Sequence, residues 1–257
     1  MKTSFLFLVL LTSFVAEASN YSQPVFGSQS ETVSGTQASP DTYTDNGGTS
    51  GNYFNDIQST IHFSPASTNK FVRVKILQLN LSSGDSLKVY NGDSTNDRLL
   101  GTITSSNNGA SFLWVSSNEN GNLCFEFISN SSGTSSGWEF EVYEASYPGQ
   151  VWTGASSNST ASTANWEGNV LPTTQTNVFI PVTANQPVIN SWLYCADFYL
   201  DENASFTYTS GAPFIYGDLT INGNFDIGNK RIYLSKLYFF FISLISEQAQ
   251  LKFGFIV

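Results

Sequence analysis

The sequence holds one histidine, His62, and a lone imidazole becomes a base or a metal ligand only beside a nucleophile, an acid or further ligands. His62 alternates with Ile61 and Phe63 and so falls on the solvent side of an expected strand. No cysteine, acid or glycine-framed serine stands at a spacing that would recruit it. Asp45, followed by Gly47 and Gly48, forms an acidic, turn-rich segment able to lend a ligand oxygen, although a tight turn that needs glycine dihedrals is the stronger reading. Carboxylate pairs of the glycosidase kind meet only in space, and no local motif points to one. Aromatic side chains are the usual platforms for sugar rings and protein contacts. Trp114 and Trp138 lie inside expected strands and read as core, whereas Trp152, Trp166 and Trp192 sit near turns, where exposure is one reading and packing the other.

These residues are carried by a chain built for export. Lys2 precedes an apolar run from Phe5 to Val15 that ends at Ala16-Glu17-Ala18, a secretory signal segment over residues 1–18 with cleavage before Ser19. The run is too short to span a bilayer, so no transmembrane anchor is expected, and no cysteine stands near the cleavage point to take a bacterial lipid. Charged residues make up 12 % of the chain and the net charge is −10, which leaves no basic footprint for nucleic acid. Gly, Asn, Ser, Thr, Phe and Tyr abound while good helix formers are scarce, so the fold class is all-β. Sequons at Asn20, Asn80, Asn130, Asn158 and Asn203 would matter only in a eukaryotic secretory pathway.

Two domains and a tail are expected. Residues 27–146 read as short alternating strands between Gly, Asn and Ser turns. In Phe71-Val72-Arg73-Val74-Lys75-Ile76 the residues Val72, Val74 and Ile76 face a core, and Arg73 and Lys75 face water. The same alternation runs through Ser86 to Tyr90, Leu123 to Phe127 and Trp138 to Tyr143, with turns at Asn91-Gly92 and Asn108-Gly109, which suggests a β-sandwich. The pattern breaks at Tyr147-Pro148-Gly149. Over residues 150–229 Val178-Phe179-Ile180, Phe198-Tyr199-Leu200 and Leu219-Thr220-Ile221 recur about every twenty residues, and Phe206-Thr207-Tyr208 matches Phe225-Asp226-Ile227. That period points to stacked rungs of a β-solenoid, with tandem hairpins as the alternative. Cys124 and Cys195 fall in different domains, so neither domain holds an internal bridge. Free, partly buried thiols are favoured over a bridge between domains.

After Asn229 register, turn chemistry and composition all change. Leu237 to Ile245 is an almost unbroken apolar run which, as a helix, would reach only about 14 Å, roughly half a bilayer core. Residues 230–257 are read as an aberrant tail, out of frame with the repeats; a pair of capping strands is the other reading.

Four motifs in order resemble the CUB family over residues 27–146. Thr42 to Tyr53, with Asp45-Asn46-Gly47-Gly48 and Gly51-Asn52-Tyr53, is similar to the family's entry; Gly84-Asp85-Ser86-Leu87-Lys88-Val89-Tyr90-Asn91-Gly92 to its central strand and turn; Leu99-Leu100-Gly101-Thr102 to the segment that follows; and Phe127-Ile128-Ser129-Asn130-Ser131 with Gly137-Trp138 to its close. The resemblance implies a sandwich of jelly-roll type. Many members hold calcium on a Glu and two Asp. Carried onto this chain, Asp85 matches the central Asp, Ser82 stands near the Glu position and Asn130 replaces the last Asp, with Asp45 as a further candidate ligand. That is a degenerate calcium site, and turn bonding by Asp85 is the favoured alternative. The second segment, with Val151-Trp152-Thr153-Gly154, Asn165-Trp166-Glu167-Gly168, Asn185 to Ile189 and Gly217 to Phe225, resembles repeat units of large bacterial surface proteins exported by the type IX system.

The expected function is therefore that of a non-enzymatic, secreted or cell-surface binding module for adhesion, with an extracellular protein or glycan as partner and no required cofactor. A fragment of a larger exported protease or glycosidase, and a passive spacer, are the alternatives. The sequence sets neither the ligand nor the oligomeric state.

Overall fold

A computed structural model describes residues 18–110, 113–226, 232–234 and 253–255. The expected export segment, up to Glu17, and most of the expected tail lie outside the described residues. Within them the chain is all-β, with strands joined by turns and three short 3-10 segments.

The first ten strands are β1 (Asn20–Ser22), β2 (Phe26–Val33), β3 (Asp41–Thr44), β4 (Gln58–Pro65), β5 (Phe71–Asn80), β6 (Ser86–Asn91), β7 (Arg98–Ile103), β8 (Leu113–Val115), β9 (Leu123–Ile128) and β10 (Gly137–Ala145). They form two five-stranded sheets, ordered β1-β3-β10-β5-β8 and β2-β4-β9-β6-β7. Pairing is antiparallel except between β1 and β3 and between β2 and β4. Alternation decides which side chains meet: Val72, Val74, Leu87, Val89, Phe125 and Phe140 are fully buried and belong to one hydrophobic cluster fed by both sheets. Lys75, on the opposite face of β5, pairs with Glu141 at 2.9 Å and stays partly exposed, as expected. Arg73 does not. It is fully buried, because residues after Gly149 cover that part of the face.

The remaining strands are β11 (Gln150–Val151), β12 (Val178–Ile180), β13 (Val188–Ile189), β14 (Trp192–Cys195), β15 (Phe198–Leu200), β16 (Ser205–Tyr208), β17 (Ala212–Ile215), β18 (Leu219–Ile221), β19 (Asn224–Asp226), β20 (Ile232–Leu234) and β21 (Phe253–Phe255). They make three sheets, β11-β12-β15-β18, β13-β16-β19 and β14-β17-β20-β21, and every pairing is parallel. Parallel neighbours cannot be joined by tight hairpins, so the tandem-hairpin alternative does not apply. The register follows the repeat read in the sequence: Val178 sits beside Phe198 and Phe198 beside Leu219, while Phe206 sits beside Phe225. Ile180, Phe198, Leu200 and Phe206 are buried in a second hydrophobic cluster.

For two of the tryptophans near turns packing is the reading that holds. Trp152 and Trp166 are 0 % and 1 % exposed and cross edge to face at 5.0 Å in the second cluster, because β11 and the turn at Glu167 fold over the start of the repeats. Trp192 alone of the three is exposed, at 57 %. One expectation needs correction: in-register pairing continues past Asn229, since Tyr233 lies beside Phe214 and Leu234 beside Ile215. The compositional change at Lys230 hid a strand that keeps the apolar, ring, apolar order of its predecessors.

Candidate functional site

Of the three side chains expected to share a metal site, the fold brings two together. Asp85 closes the turn before β6 and is 1 % exposed. Its Oδ1 accepts the backbone N–H of Asn130 at 2.9 Å and its Oδ2 accepts the Tyr53 hydroxyl at 2.5 Å. That phenol oxygen in turn accepts the Ser82 N–H at 2.7 Å. Burial, reinforced by the Asp85 bond, raises the Tyr53 phenol above its ordinary range, so the phenol keeps the proton it donates. Asn130 turns its own Oδ1 to the Ser132 N–H at 2.8 Å and its Nδ2 to the Ser83 carbonyl at 3.0 Å.

Asp45 shares no hydrogen-bond partner with either residue. Its Oδ1 accepts from the Gly47 N–H at 2.6 Å and its Oδ2 from the Trp138 N–H at 3.0 Å. Gly137, at φ 62°, keeps open the space this carboxylate fills, since a Cβ there would run into Oδ2. Burial pushes the Asp45 carboxyl up to about 6, against the pull of those backbone bonds. Calcium takes about six to eight oxygens and favours several carboxylates. Here Asp85 is the one carboxylate among Ser82, Asp85 and Asn130, the positions that the resemblance implied, and each of its oxygens already holds a protein donor. The donor set does not fit the ion; the arrangement is a clamp that ties the Tyr53, Ser82 and Asn130 loops together.

His62 has a neighbour that spacing did not reveal. Parallel pairing of β2 with β4 brings Ser28 Oγ to 2.7 Å from His62 Nε2, with Thr60 Oγ1 at 3.2 Å. A Ser–His contact resembles half of a nucleophilic pair, but Nδ1 is buried with no hydrogen-bond partner among the described residues. Without an acid there, nothing orients the ring as a base. Cys124, cross-strand from both His62 and Tyr90, is buried, and burial, with the charges of Glu126, Asp97 and Asp93, pushes its thiol up to about 12. Cys195 is also free and buried, its thiol raised by burial and then by Asp197. Neither has the thiolate character that reactivity requires.

The seam between the two groups of sheets is the arrangement the sequence reading missed. Arg73 Nε meets Glu167 Oε1 at 2.7 Å, with the two side chains 0 % and 9 % exposed. Its Nη1 donates to the Tyr147 carbonyl at 3.0 Å and its Nη2 to the Gly149 carbonyl at 2.8 Å. Glu167 Oε2 also accepts the Val151 N–H at 3.3 Å, and Gln150 Nε2 donates to the Glu167 and Val170 carbonyls at 3.0 and 2.7 Å. The pair is therefore hydrogen-bonded on both sides, the condition under which buried charges are tolerated. On the far side Arg98 meets Asp197 at 3.1 Å and Asn177 Oδ1 at 2.5 Å, and Asn177 Nδ2 donates to Ser117.

Between these two ties lies a groove of about 520 Å³. Its apolar floor comes from Leu100 and Ile103 of β7, Leu113 and Trp114 of β8, and Val170. Trp114 is half-buried and leans on the first core, its ring 6.2 Å from those of Phe125 and Phe140. Thr102, Asn107, Asn169, Thr174 and Gln175 supply a hydroxyl and amide rim, and none of the described lining residues carries a charge.

Set against protein-family models and curated proteins, the chain matches none.

What the groove can do follows from its lining alone: an apolar floor for ring faces, neutral donors and acceptors at the edge, and no group suited to acid–base chemistry. A signal for the seam did exist. Glu167 is the one acid within Asn165-Trp166-Glu167-Gly168, flanked by a tryptophan that proved to be core, but its partner Arg73 lies in the other group of sheets and carries no sequence mark.

Proposed function

We propose that this chain is a non-catalytic, exported binding module of the adhesion kind, secreted or held at a cell surface, which recognises an extracellular protein or glycan. In this reading the first two sheets are a CUB-like sandwich of jelly-roll type, and the parallel sheets are the first rungs of a β-solenoid that presents it. The observation that carries the binding reading is the uncharged groove of about 520 Å³ at the seam that the Arg73–Glu167 and Arg98–Asp197 ion pairs cross. The size falls within the range of about 300–1,000 Å³ usual for small-ligand sites. Support for the family reading comes from where three of the four motifs fall: the central one spans β6, Leu99 to Thr102 lies in β7, and Gly137-Trp138 opens β10.

The test is retention. Purified chain, immobilised, is offered cell-surface fractions, matrix proteins and arrayed glycans. Saturable capture of one class supports the reading, and failure to retain any of them counts against it.

A further inference from the structure

We propose that Asp41 is the seat of the processed N-terminus: cutting the bond between Ala18 and Ser19 frees an ammonium where the fold already holds the Ser19 nitrogen, and its ion pair with Asp41 fastens β1 to β3. The proposal deepens the export part of the reading above and rests on it. Three observations meet at this point.

First, the nitrogen that the expected cut would free is already in position. The cut is expected before Ser19. In the fold Ser19 N donates to Asp41 Oδ1 at 2.8 Å, and the Ser19 carbonyl accepts the Thr42 N–H at 2.9 Å. These bonds stand one residue ahead of β1, whose parallel pairing sets Asn20 beside Thr42 and Tyr21 beside Tyr43.

Second, Asp41 is a built seat. It is 1 % exposed, and its Oδ2 accepts the Tyr21 hydroxyl at 3.0 Å and the N–H groups of Ser34 and Gly35 at 3.2 and 2.9 Å. A Cβ on Gly35 would stand 2.9 Å from Asp41 Cγ, so this glycine keeps room for the carboxylate.

Third, the seat lacks a counter-charge that the cut would supply. All four donors are neutral while the chain runs on into Ala18, and among the described residues Asp41 forms no ion pair. A buried carboxylate gains most from a hydrogen-bonded cation. Asp45 and Asp85 are buried on neutral donors too, but those donors lie within the folded chain. No base competes for the place. Glu31 lies near Tyr21, Glu141 of the adjoining β10 is paired with Lys75, and Glu144 holds Ser67. The Tyr21 phenol, raised by burial first and by its Asp41 bond next, keeps its proton.

The chemical step is hydrolysis by a secretory processing peptidase. Water adds across the peptide bond, Ala18 leaves as a carboxylate, and the Ser19 nitrogen takes up a proton. A neutral hydrogen bond thereby becomes a charge-assisted one, about twice as strong. The precursor's first sheet is therefore the looser of the two forms, and it tightens only after the cut.

The test has two parts. Mass spectrometry of the chain released by a secreting host reads its first residue, and Ser19 is expected. The processed chain, residues 19–257, is then compared with the same chain preceded by Glu17-Ala18, each with and without Asp41→Asn, by thermal melting from about pH 6 to about pH 10, across the ordinary α-amino range of about 7.7–8.0. Asp41 favours the charged amine, so the folded chain holds that proton to higher pH than the unfolded one. The gain is complete below about 7.7 and is lost as the pH rises beyond that range. At the acid end the free Ser19 form should melt about 2–4 °C higher than the extended form, and the difference should vanish in Asp41→Asn. Should Asp41→Asn fail to fold, the pH dependence of the difference decides alone. Equal melting of the two forms at the acid end overturns the clamp and leaves export standing, as does a difference that persists unchanged at the alkaline end or in Asp41→Asn. Release with a different first residue overturns the clamp at its origin, and no release at all removes the export reading with it.

Discussion

Aromatic rings meet in opposite ways in the two halves of this protein. In the first, Tyr43 is a hub whose ring contacts Phe63, Phe125, Trp138 and Phe140, all edge to face, at 62° to 72°. In the second, rings at in-register positions of neighbouring strands pile face to face, Phe179 on Tyr199 at 13° and Phe214 on Tyr233 at 7°, while Trp152 with Trp166 and Phe198 with Phe206 still cross edge to face within its core. Two sheets packed across a core present side chains from opposing directions, and the ring quadrupole then favours crossed contacts. Parallel strands in register instead set equivalent positions directly above one another at the strand spacing of about 4.8 Å, which leaves flat rings little choice but to stack. A hub concentrates many contacts on one residue; a ladder spreads similar contacts over many.

That difference sets the order of expected effects. Tyr43→Ala removes the hub and is expected to cost about 3–5 kcal/mol, read by urea unfolding, with amide protection falling in both of the first two sheets. Protection lost only beside β3 would mean that the core is less shared than its contacts imply. Glu167→Gln tests the seam: it leaves Arg73 buried without its counter-charge and is expected to cost about 3 kcal/mol. The double variant Arg73→Leu/Glu167→Leu should recover part of that loss, and a double variant worse than the single would show the seam to depend on the other arginine bonds.

A pH effect separates the halves next, because the buried Asp45 belongs to the first. Its folded carboxyl titrates near 6 against an ordinary 3.8, so the fold binds the extra proton between those values. Its contribution is complete below 3.8 and is lost as pH rises through about 6. Wild type minus Asp45→Asn stability, from urea melts at matched pH, should therefore fall by on the order of 2 kcal/mol across that window; a flat difference would mean that the carboxyl titrates normally. The smallest effect is expected for the ladder. Tyr199→Ser removes one partly exposed ring stacked on Phe179 and should cost about 1 kcal/mol, seen as a small shift in urea midpoint. A loss as large as that of Tyr43→Ala would erase the contrast between hub and ladder.

Much of the fold was legible because both halves obey short rules. Alternation in Val72, Val74, Leu87, Val89 and Phe125 gives the inward face by period two, and the recurrence of Val178, Phe198 and Leu219 gives the register of the parallel strands. The third sheet was harder to see, since the residues in register before its shared ring position are Leu193, Pro213 and Ile232, and the last of them follows the compositional change at Lys230. What escaped was contact at long range without a local mark. Arg73 reads like Lys75, two residues on, and only a covering segment from beyond Gly149 makes one buried and the other wet. Ser28 reaches His62 through a parallel pairing that no turn signals. The groove was invisible for the same reason, as its floor and its rim come from both sides of the boundary. Asp85 and Asn130 were expected together only through the CUB resemblance; that hydrogen bonds already fill the Asp85 oxygens required the Tyr53 hydroxyl and the Asn130 N–H.

The parallel register also makes the second half a ruler. Each turn of about twenty residues adds one strand spacing to each sheet, so inserting a whole turn would lengthen the body by about 4.8 Å and set every new side chain on a like neighbour. Inserting a single residue in a strand would instead swap inside for outside from that point on. Reach can therefore change in fixed steps while the groove at the first turn, fastened by Arg73 and Arg98, keeps its shape.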